Sequence, residues 1–304
     1  MPASTRSCTY SPGGSSPGIR HGRLRPIWLI RVVHPFPSAL DASAAAAIAL
    51  IAGSGVGLAL HLALGMLCLQ FAIGAANDLA DATTDSLVKP QKPIPAGLIS
   101  RDAAKAVFAI TATLGLAFTA STSTAAFAVG AAGLADGLLY DLRLKGTPFG
   151  WVPFAAGVGL LPVYAWAGAT GTLPAAVPWV VALAVAAGSA LAIANALSDI
   201  ERDRRSGVTS IATVLGHGRT IALNAVILVV VNIVVGATSL AVGTAPAPAA
   251  AELGGLVLAW LCVGLAGVAS ERWRHLVWEV QALGILALGA GWLAAMDSAG
   301  LLRP

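Results

Sequence analysis

The sequence predicts an all-α, polytopic membrane protein of nine transmembrane helices, and three observations carry that prediction. Hydrophobic residues make up 57% of the chain and charged residues only 11%, with a mean hydropathy of +0.81. Average soluble domains carry about a quarter charged residues. Apolar runs of about 18 residues or more, nearly free of charge, recur along the chain, and each is long enough to cross a bilayer. Finally, all but Arg303 of the 18 Lys and Arg residues fall on one side of a nine-span topology, as the positive-inside rule requires. A β-barrel would show short alternating segments in place of long Ala/Val/Leu/Gly runs.

Taken in order, residues 1–25 are rich in Ser, Pro, Gly and Arg and are expected to form a disordered N-terminal tail. They lack the apolar core of a secretory signal. Residues 26–304 then form a single domain. Pro26 to Pro37 is an amphipathic lead-in whose Trp28, Arg31 and His34 suit the membrane interface. The nine spans lie at about 38–57, 60–80, 102–120, 123–140, 150–168, 176–198, 220–242, 250–269 and 276–296. Small or Pro-containing turns separate them, for example Gly53-Ser54-Gly55 and Ala245-Pro246-Ala247-Pro248. Abundant Gly and Ala inside the spans allow close helix packing in lipid.

The loops after spans 2, 4, 6 and 8 carry Lys89, Lys92, Arg101 and Lys105; Arg143 and Lys145; Arg202, Arg204, Arg205 and Arg219; and Arg272 and Arg274. These loops and the N-terminus are therefore expected in the cytoplasm of an integral, multi-pass protein, in the cell membrane if the source is bacterial. The net charge of +4 and the pI near 9.3 reflect topology, so no nucleic acid partner is implied, and nothing implies a protein partner. Cys8, Cys68 and Cys262 have no ligand-like or disulfide-framework spacing.

The polar chemistry concentrates in two places. Span 2 ends in Asn77-Asp78-Leu79-Ala80-Asp81-Ala82-Thr83-Thr84-Asp85, in a chain with only 14 acidic residues. On a helix, Asn77, Asp81 and Asp85 stand at i+4 spacing with Asp78 beside them. Span 6 ends in Asn195-Ala196-Leu197-Ser198-Asp199-Ile200-Glu201-Arg202-Asp203, where Asn195, Asp199 and Asp203 repeat that spacing on the same membrane side. One strip alone reads as a polar cap at a membrane surface. Two matching strips offer hard oxygen ligands to Mg²⁺, which takes about six oxygens, usually one or two carboxylates with waters and phosphate oxygens. A diphosphate bridging such ions would be stabilised as it leaves.

Asn77-Asp78-x-x-Asp81-x-x-x-Asp85 resembles the N-D-x-x-D-x-x-x-D signature of the UbiA-type intramembrane prenyltransferases. Asp199-x-x-x-Asp203 resembles their second aspartate motif, and Lys92-Pro93-Ile94-Pro95-Ala96-Gly97 the segment that follows the first. The resemblance covers roughly residues 28–296. It implies nine helices around a central cavity open to lipid. It also implies Mg²⁺-dependent transfer of a prenyl chain from a prenyl diphosphate to a small acceptor, commonly aromatic. Asp78, Asp81, Asp85, Asp199 and Asp203 would be the catalytic magnesium–diphosphate ligands. Asn77 and Asn195 would orient them or bind phosphate oxygens, and Lys92, Arg143 and Lys145 would neutralise phosphate. Tyr140 and Lys145 depart from the family's Y-x-x-x-K pattern: the Lys comes one place later, and an extra Asp, Asp141, lies between them. Tyr140 is thus either a substrate-binding group or an interface aromatic.

Glu201 is either a partner of these ligands or exposed, and Arg204 and Arg205 read as topological anchors. His34, His61, His217 and His275 read as packing or interface residues. A CDP-alcohol phosphotransferase would require Ala-Arg after Asp136-Gly137, where Leu138 to Asp141 stand instead. A cation transporter would carry its acids mid-span. On family precedent the acceptor is expected to be an aromatic quinone precursor. The alternatives are haem, a glycerol phosphate lipid or a phosphoribosyl sugar.

Overall fold

The computed structural model describes residues 31–302; the expected N-terminal tail and Arg303 lie outside the described residues. Every predicted span is a helix: α1 (Pro35–Ile51), α2 (Val56–Val88), α3 (Arg101–Ala120), α4 (Thr124–Leu139), α5 (Trp151–Thr170), α6 (Val177–Ser198), α9 (His217–Val242), α10 (Pro246–Val268) and α11 (Glu271–Ser298). Two short helices, α7 (Ile200–Ser206) and α8 (Ile211–Leu215), join α6 to α9. Eight helical segments among the described residues are long and apolar enough to cross a membrane, α4 when counted with the turn that continues it to Leu144, and α1, at 17 residues, falls short of that length. Among the described residues there is no strand.

Three departures from the expected boundaries shape the site. Helix α2 does not stop near residue 80 but runs for 33 residues to Val88, because its last three turns hold no Gly or Pro and the first helix-breaking residue is Pro90. The first acidic strip therefore rides on the transmembrane helix itself. After α4, the chain widens into a π-helical turn over Tyr140–Leu144. The second strip is not on one unbroken helix: α6 ends at Ser198, Asp199 caps it, and α7 begins at Ile200. The Asp203 N–H still donates to the Asp199 carbonyl at 2.9 Å, so the carboxylates stay on neighbouring turns.

The bundle is inside-out relative to a soluble protein, with Leu114, Val230, Ile233, Leu240, Leu261 and Trp179 exposed along its outer faces. Inside, several polar tips find partners, as a medium without water favours. Tyr164 donates to the Leu62 carbonyl at 2.9 Å, Trp278 to the Leu191 carbonyl at 3.1 Å, and Asn224 and Gln281 exchange hydrogen bonds between α9 and α11. Glycine brings α10 and α11 together. A Cβ at Gly291 would lie 2.7 Å from the Pro248 carbonyl oxygen and 2.9 Å from the Glu252 nitrogen.

Helices α1, α2, α4, α5, α6 and α11 enclose a central cavity of about 250 Å³. A second, almost wholly apolar cavity of about 140 Å³ lies deeper, between α1, α5, α6, α9 and α11, and shares Leu40, Asp41, Val158, Leu161, Leu191 and Ala282 with the first. Cys68 and Cys262 are free thiols.

Candidate active site

The site is assembled where the ends of α2, α4 and α6 meet. On α2, Asp78 and Asp85 are 3% and 4% exposed. Both are held by one ammonium: Lys92 Nζ lies 2.8 Å from Asp78 and 2.6 Å from Asp85. The loop after α2 puts Lys92 there. Gly97 takes a left-handed φ of 68°, which folds the chain so that the Leu98 and Ile99 N–H groups donate to the Pro93 carbonyl at 2.9 and 3.2 Å. Ile94 and Ile99 then pack on Val32 and Ala75. Glycine is the residue that takes such a φ without steric cost. Burial pushes the Lys92 ammonium down, but Asp78 and Asp85 together outweigh it and hold the group above the ordinary lysine value.

Asp78 also accepts from His34 Nε2 at 3.2 Å. His34 caps α1 with a left-handed φ of 48°. The segment can come this close because Gly74, one turn before Asp78, has no side chain. A Cβ there would lie 2.9 Å from the Val33 carbonyl carbon and 3.2 Å from the His34 ring. His34 thus contacts an aspartate of the first strip, a partner that an interface or packing role did not foresee.

The π-helical turn resolves the irregular Tyr140–Lys145 spacing. The Lys145 N–H donates to the Tyr140 carbonyl at 2.8 Å, an i→i+5 bond that absorbs the extra residue. Lys145 consequently still reaches back to form an ion pair with Asp81. The inserted Asp141 turns inward and accepts from Asn77 Nδ2 at 2.7 Å. Tyr140 lines both the central cavity and, with Lys145, Asp199 and Asp203, the cavity at its mouth. Arg143 is exposed, and no contact ties it to either strip among the described residues.

Across the mouth, Asn195, Asp199 and Asp203 line a cavity of about 120 Å³ together with Tyr140 and Lys145. Asp199 pairs with Arg202. Burial, then the charge of Asp199, raises the Asp203 carboxyl above its usual range. Lys89 lies between the strips and is pushed down, first by burial and then by Arg202 and Lys92. Glu201 is bonded to the buried Arg274 of α11, and Arg205 grips Glu271 through two hydrogen bonds of 2.6 and 3.1 Å. These pairs staple α7 to α11, so Arg205 does more than anchor topology.

The donor set fits Mg²⁺ in one particular way. Among the described residues no three His, Cys, Asp or Glu side chains converge as a ready-made cage. The five aspartates instead lie on two facing helix ends, three of them on α2 and two around the α6–α7 junction. That arrangement suits an ion that takes one or two carboxylates and completes its shell with water and phosphate oxygens. Asp78, Asp81 and Asp85 on one side and Asp199 and Asp203 on the other would hold it.

A profile of the UbiA prenyltransferase family matches residues 41–283. The chain belongs to that family. Among curated UbiA-family relatives, a digeranylgeranylglyceryl phosphate synthase of Methanopyrus kandleri is 32% identical over 146 residues, 47% of this chain and 53% of the relative. The enzyme of the same name from Natronomonas pharaonis is 30% identical over 218 residues, 70% of this chain and 75% of the relative. The matched stretch thus spans little more than half of the first relative and three quarters of the second. A UbiA homologue from Aeropyrum pernix K1 has the same fold, with a TM-score of 0.70 at 21% identity, covering 84% of this chain and 96% of its own. So does a UbiA homologue from Archaeoglobus fulgidus bound to GPP and Mg²⁺, with a TM-score of 0.65 at 16% identity, covering 90% and 99%.

Sequence reasoning passed over the contacts of His34, Asp41 and Gln70, and noted Asp141 only as an extra residue. Nothing in the local sequence pairs His34 with Asp78, 44 positions away. Asp41 and Gln70, hydrogen-bonded at 2.5 Å inside predicted spans, did carry a signal, since polar groups at membrane depth mark functional sites. Asp141 announced itself as the residue that breaks the Tyr–Lys spacing.

Proposed function

We propose that this UbiA-family protein transfers a prenyl group from a prenyl diphosphate, with Mg²⁺, to a hydroxyl of a glycerol phosphate lipid. The observation that carries the reading is the pair of aspartate-bearing helix ends meeting over Tyr140 at the mouth of the 250 Å³ cavity. The names of the curated relatives favour a glyceryl phosphate acceptor over the aromatic quinone precursor that family precedent put first.

Bound Mg²⁺ would act as a Lewis acid, drawing negative charge onto the leaving diphosphate. The chain's own residues do the rest. Asp78, Asp81, Asp85, Asp199 and Asp203 would hold the Mg²⁺ that offsets their own charge and the diphosphate's, while Asn77 and Asn195 orient them or donate to phosphate oxygens. Lys92 and Lys145, which now neutralise Asp78, Asp85 and Asp81, turn to phosphate oxygens once those carboxylates are otherwise compensated. Walls such as Met66, Leu134, Phe154 and Leu161 keep water from the allylic cation, and the apolar cavity behind them takes the isoprenoid tail. The basic loops beside the strips support a cytoplasmic placement of this mouth.

The test is mass spectrometry of products formed by purified protein with prenyl diphosphates of several lengths. The acceptors are a glyceryl ether phosphate and 4-hydroxybenzoate, with and without Mg²⁺. An ether product that requires Mg²⁺ supports the proposal. Prenylation of the aromatic ring alone would return the acceptor to the quinone class, and no prenylation of either would sink the activity.

A further inference from the structure

Asp141 has an oxygen with nothing to bond. The residue lines the central cavity and is 7% exposed. Its Oδ1 accepts from Asn77, while its Oδ2 is buried without a hydrogen-bond partner. Lys145, four residues on, is engaged with Asp81. A buried carboxylate oxygen left unpaired costs about 1–3 kcal/mol or more, so an orphan just beneath the wall of a cavity beside a reaction centre points to a donor that arrives with the substrate and meets it as the carboxyl turns. The turn that carries it is the π-helical insertion at Tyr140–Leu144, a geometry that recurs at functional sites.

The rest of the wall specifies the kind of donor. Besides Asp141 the cavity is lined by Asp41, which accepts from Gln70 at 2.5 Å, and by Asp136, whose carboxylate faces Gly157 across α4 and α5. Among the described residues the lining holds no Lys or Arg. A phosphate or carboxylate pushed into this space would meet three carboxyl groups, with His34 as the one basic side chain in the lining and that ring turned to Asp78, whereas a hydroxyl finds acceptors.

We propose that Asp141 binds the acceptor's hydroxyl and takes its proton as the new bond forms. Resting on the prenyl-transfer reading, this adds a named base and a substrate class: the part of the acceptor that enters the cavity is a neutral alcohol, and any anionic group stays at the basic mouth. The step balances. The C1–O bond to diphosphate breaks with its electron pair leaving on the diphosphate; the acceptor oxygen bonds C1; its proton passes to Asp141 Oδ2.

The test compares the wild type with Asp141→Asn, which keeps the shape and the acceptor oxygen facing Asn77. Both are presented with Mg²⁺, geranylgeranyl diphosphate and four acceptors: a glyceryl ether phosphate, the same ether without phosphate, glycerol itself and 4-hydroxybenzoate. Binding of a non-ionising thio analogue of the donor, measured by calorimetry, reports on folding and on the donor site. The proposal expects donor binding within about twofold of wild type and ether formation lower by about 10²–10⁴-fold, the usual worth of a general base. That loss should fall in kcat and be smaller for an acceptor whose hydroxyl is acidified by fluorine. If only the phosphate-free alcohols are prenylated, the glycerol phosphate reading fails while Asp141 keeps its role, provided the variant shows the same loss. Wild-type rates in Asp141→Asn, loss of donor binding equal to loss of turnover, or no ether from any alcohol would overturn the assignment.

Discussion

Replacing Lys92 with Met tests how the first acidic strip is held when no metal is bound. The ammonium lies 2.8 Å from Asp78 and 2.6 Å from Asp85, with side-chain exposures of 17% for the lysine and 3% and 5% for the two acids. Unit charges under 3 Å apart attract by about 6 kcal/mol at an effective dielectric of 20, most of which is offset by the cost of taking the three groups out of water. Removing one partner of a buried pair leaves a net loss of about 3–5 kcal/mol. His34 remains 3.2 Å from Asp78, which puts the expected loss near the lower end, about 3 kcal/mol. At about 2–4 °C per kcal/mol, Lys92→Met should melt about 6–12 °C below wild type in EDTA, read by loss of the monodisperse peak after heating in detergent. Saturating Mg²⁺ should close most of that gap, because the carboxylates then face a cation again. An equal deficit with and without Mg²⁺, or a shift under about 2 °C in EDTA, would refute the reasoning.

Four further substitutions probe other parts of the argument. Asp81→Ala or Asp199→Ala should abolish prenyl transfer while leaving the elution profile unchanged, and full activity in either would remove that residue from the metal site. Gly74→Val should push the Val33–His34 segment off α2 and detach His34 from Asp78, seen as weaker binding of Mg²⁺ and donor by calorimetry with the helical signal retained. Gly291→Val places a side chain against the Pro248 carbonyl and the Glu252 backbone, and thermal denaturation should register an overpacking cost of about 1–3 kcal/mol without a change in KM.

The fold was legible because bilayer thickness, hydropathy and loop charge act on whole segments. All nine spans could be drawn before their ends were known, and an error in one would have scattered the basic residues over both sides. The aspartate strips were legible for a related reason: i, i+4, i+8 spacing is a local property of a helix. What could not be read was contact across helices. No pattern in residues 31–41 announces that a left-handed turn at His34 would lay its ring on Asp78, since that contact depends on the missing side chain of Gly74 and on how α1 enters the bundle. The fate of Arg143 was hidden for the same reason, because the turn that carries Lys145 inward leaves Arg143, two residues earlier, exposed.

The irregular stretch Tyr140–Lys145 is the instructive case. Counted along the sequence, one residue too many separates the tyrosine from the lysine, which weakens both as site residues. In three dimensions a π-helical turn absorbs the extra residue: the Lys145 N–H closes on the Tyr140 carbonyl, Lys145 still meets Asp81, and Tyr140 stays at the cavity mouth. An insertion tolerated in this way leaves the donor site in register and puts one new side chain on the cavity wall. That side chain is a carboxylate, buried, with one oxygen bonded and one not. The residue that lengthens the Tyr–Lys spacing is therefore also the one that places a carboxylate on the cavity wall. Deleting Asp141 should test that directly: with the turn restored to α-helical length, donor and Mg²⁺ binding should persist while ether formation falls as far as in Asp141→Asn. A deletion variant that lost donor binding as well would show the turn to be needed for placing Lys145.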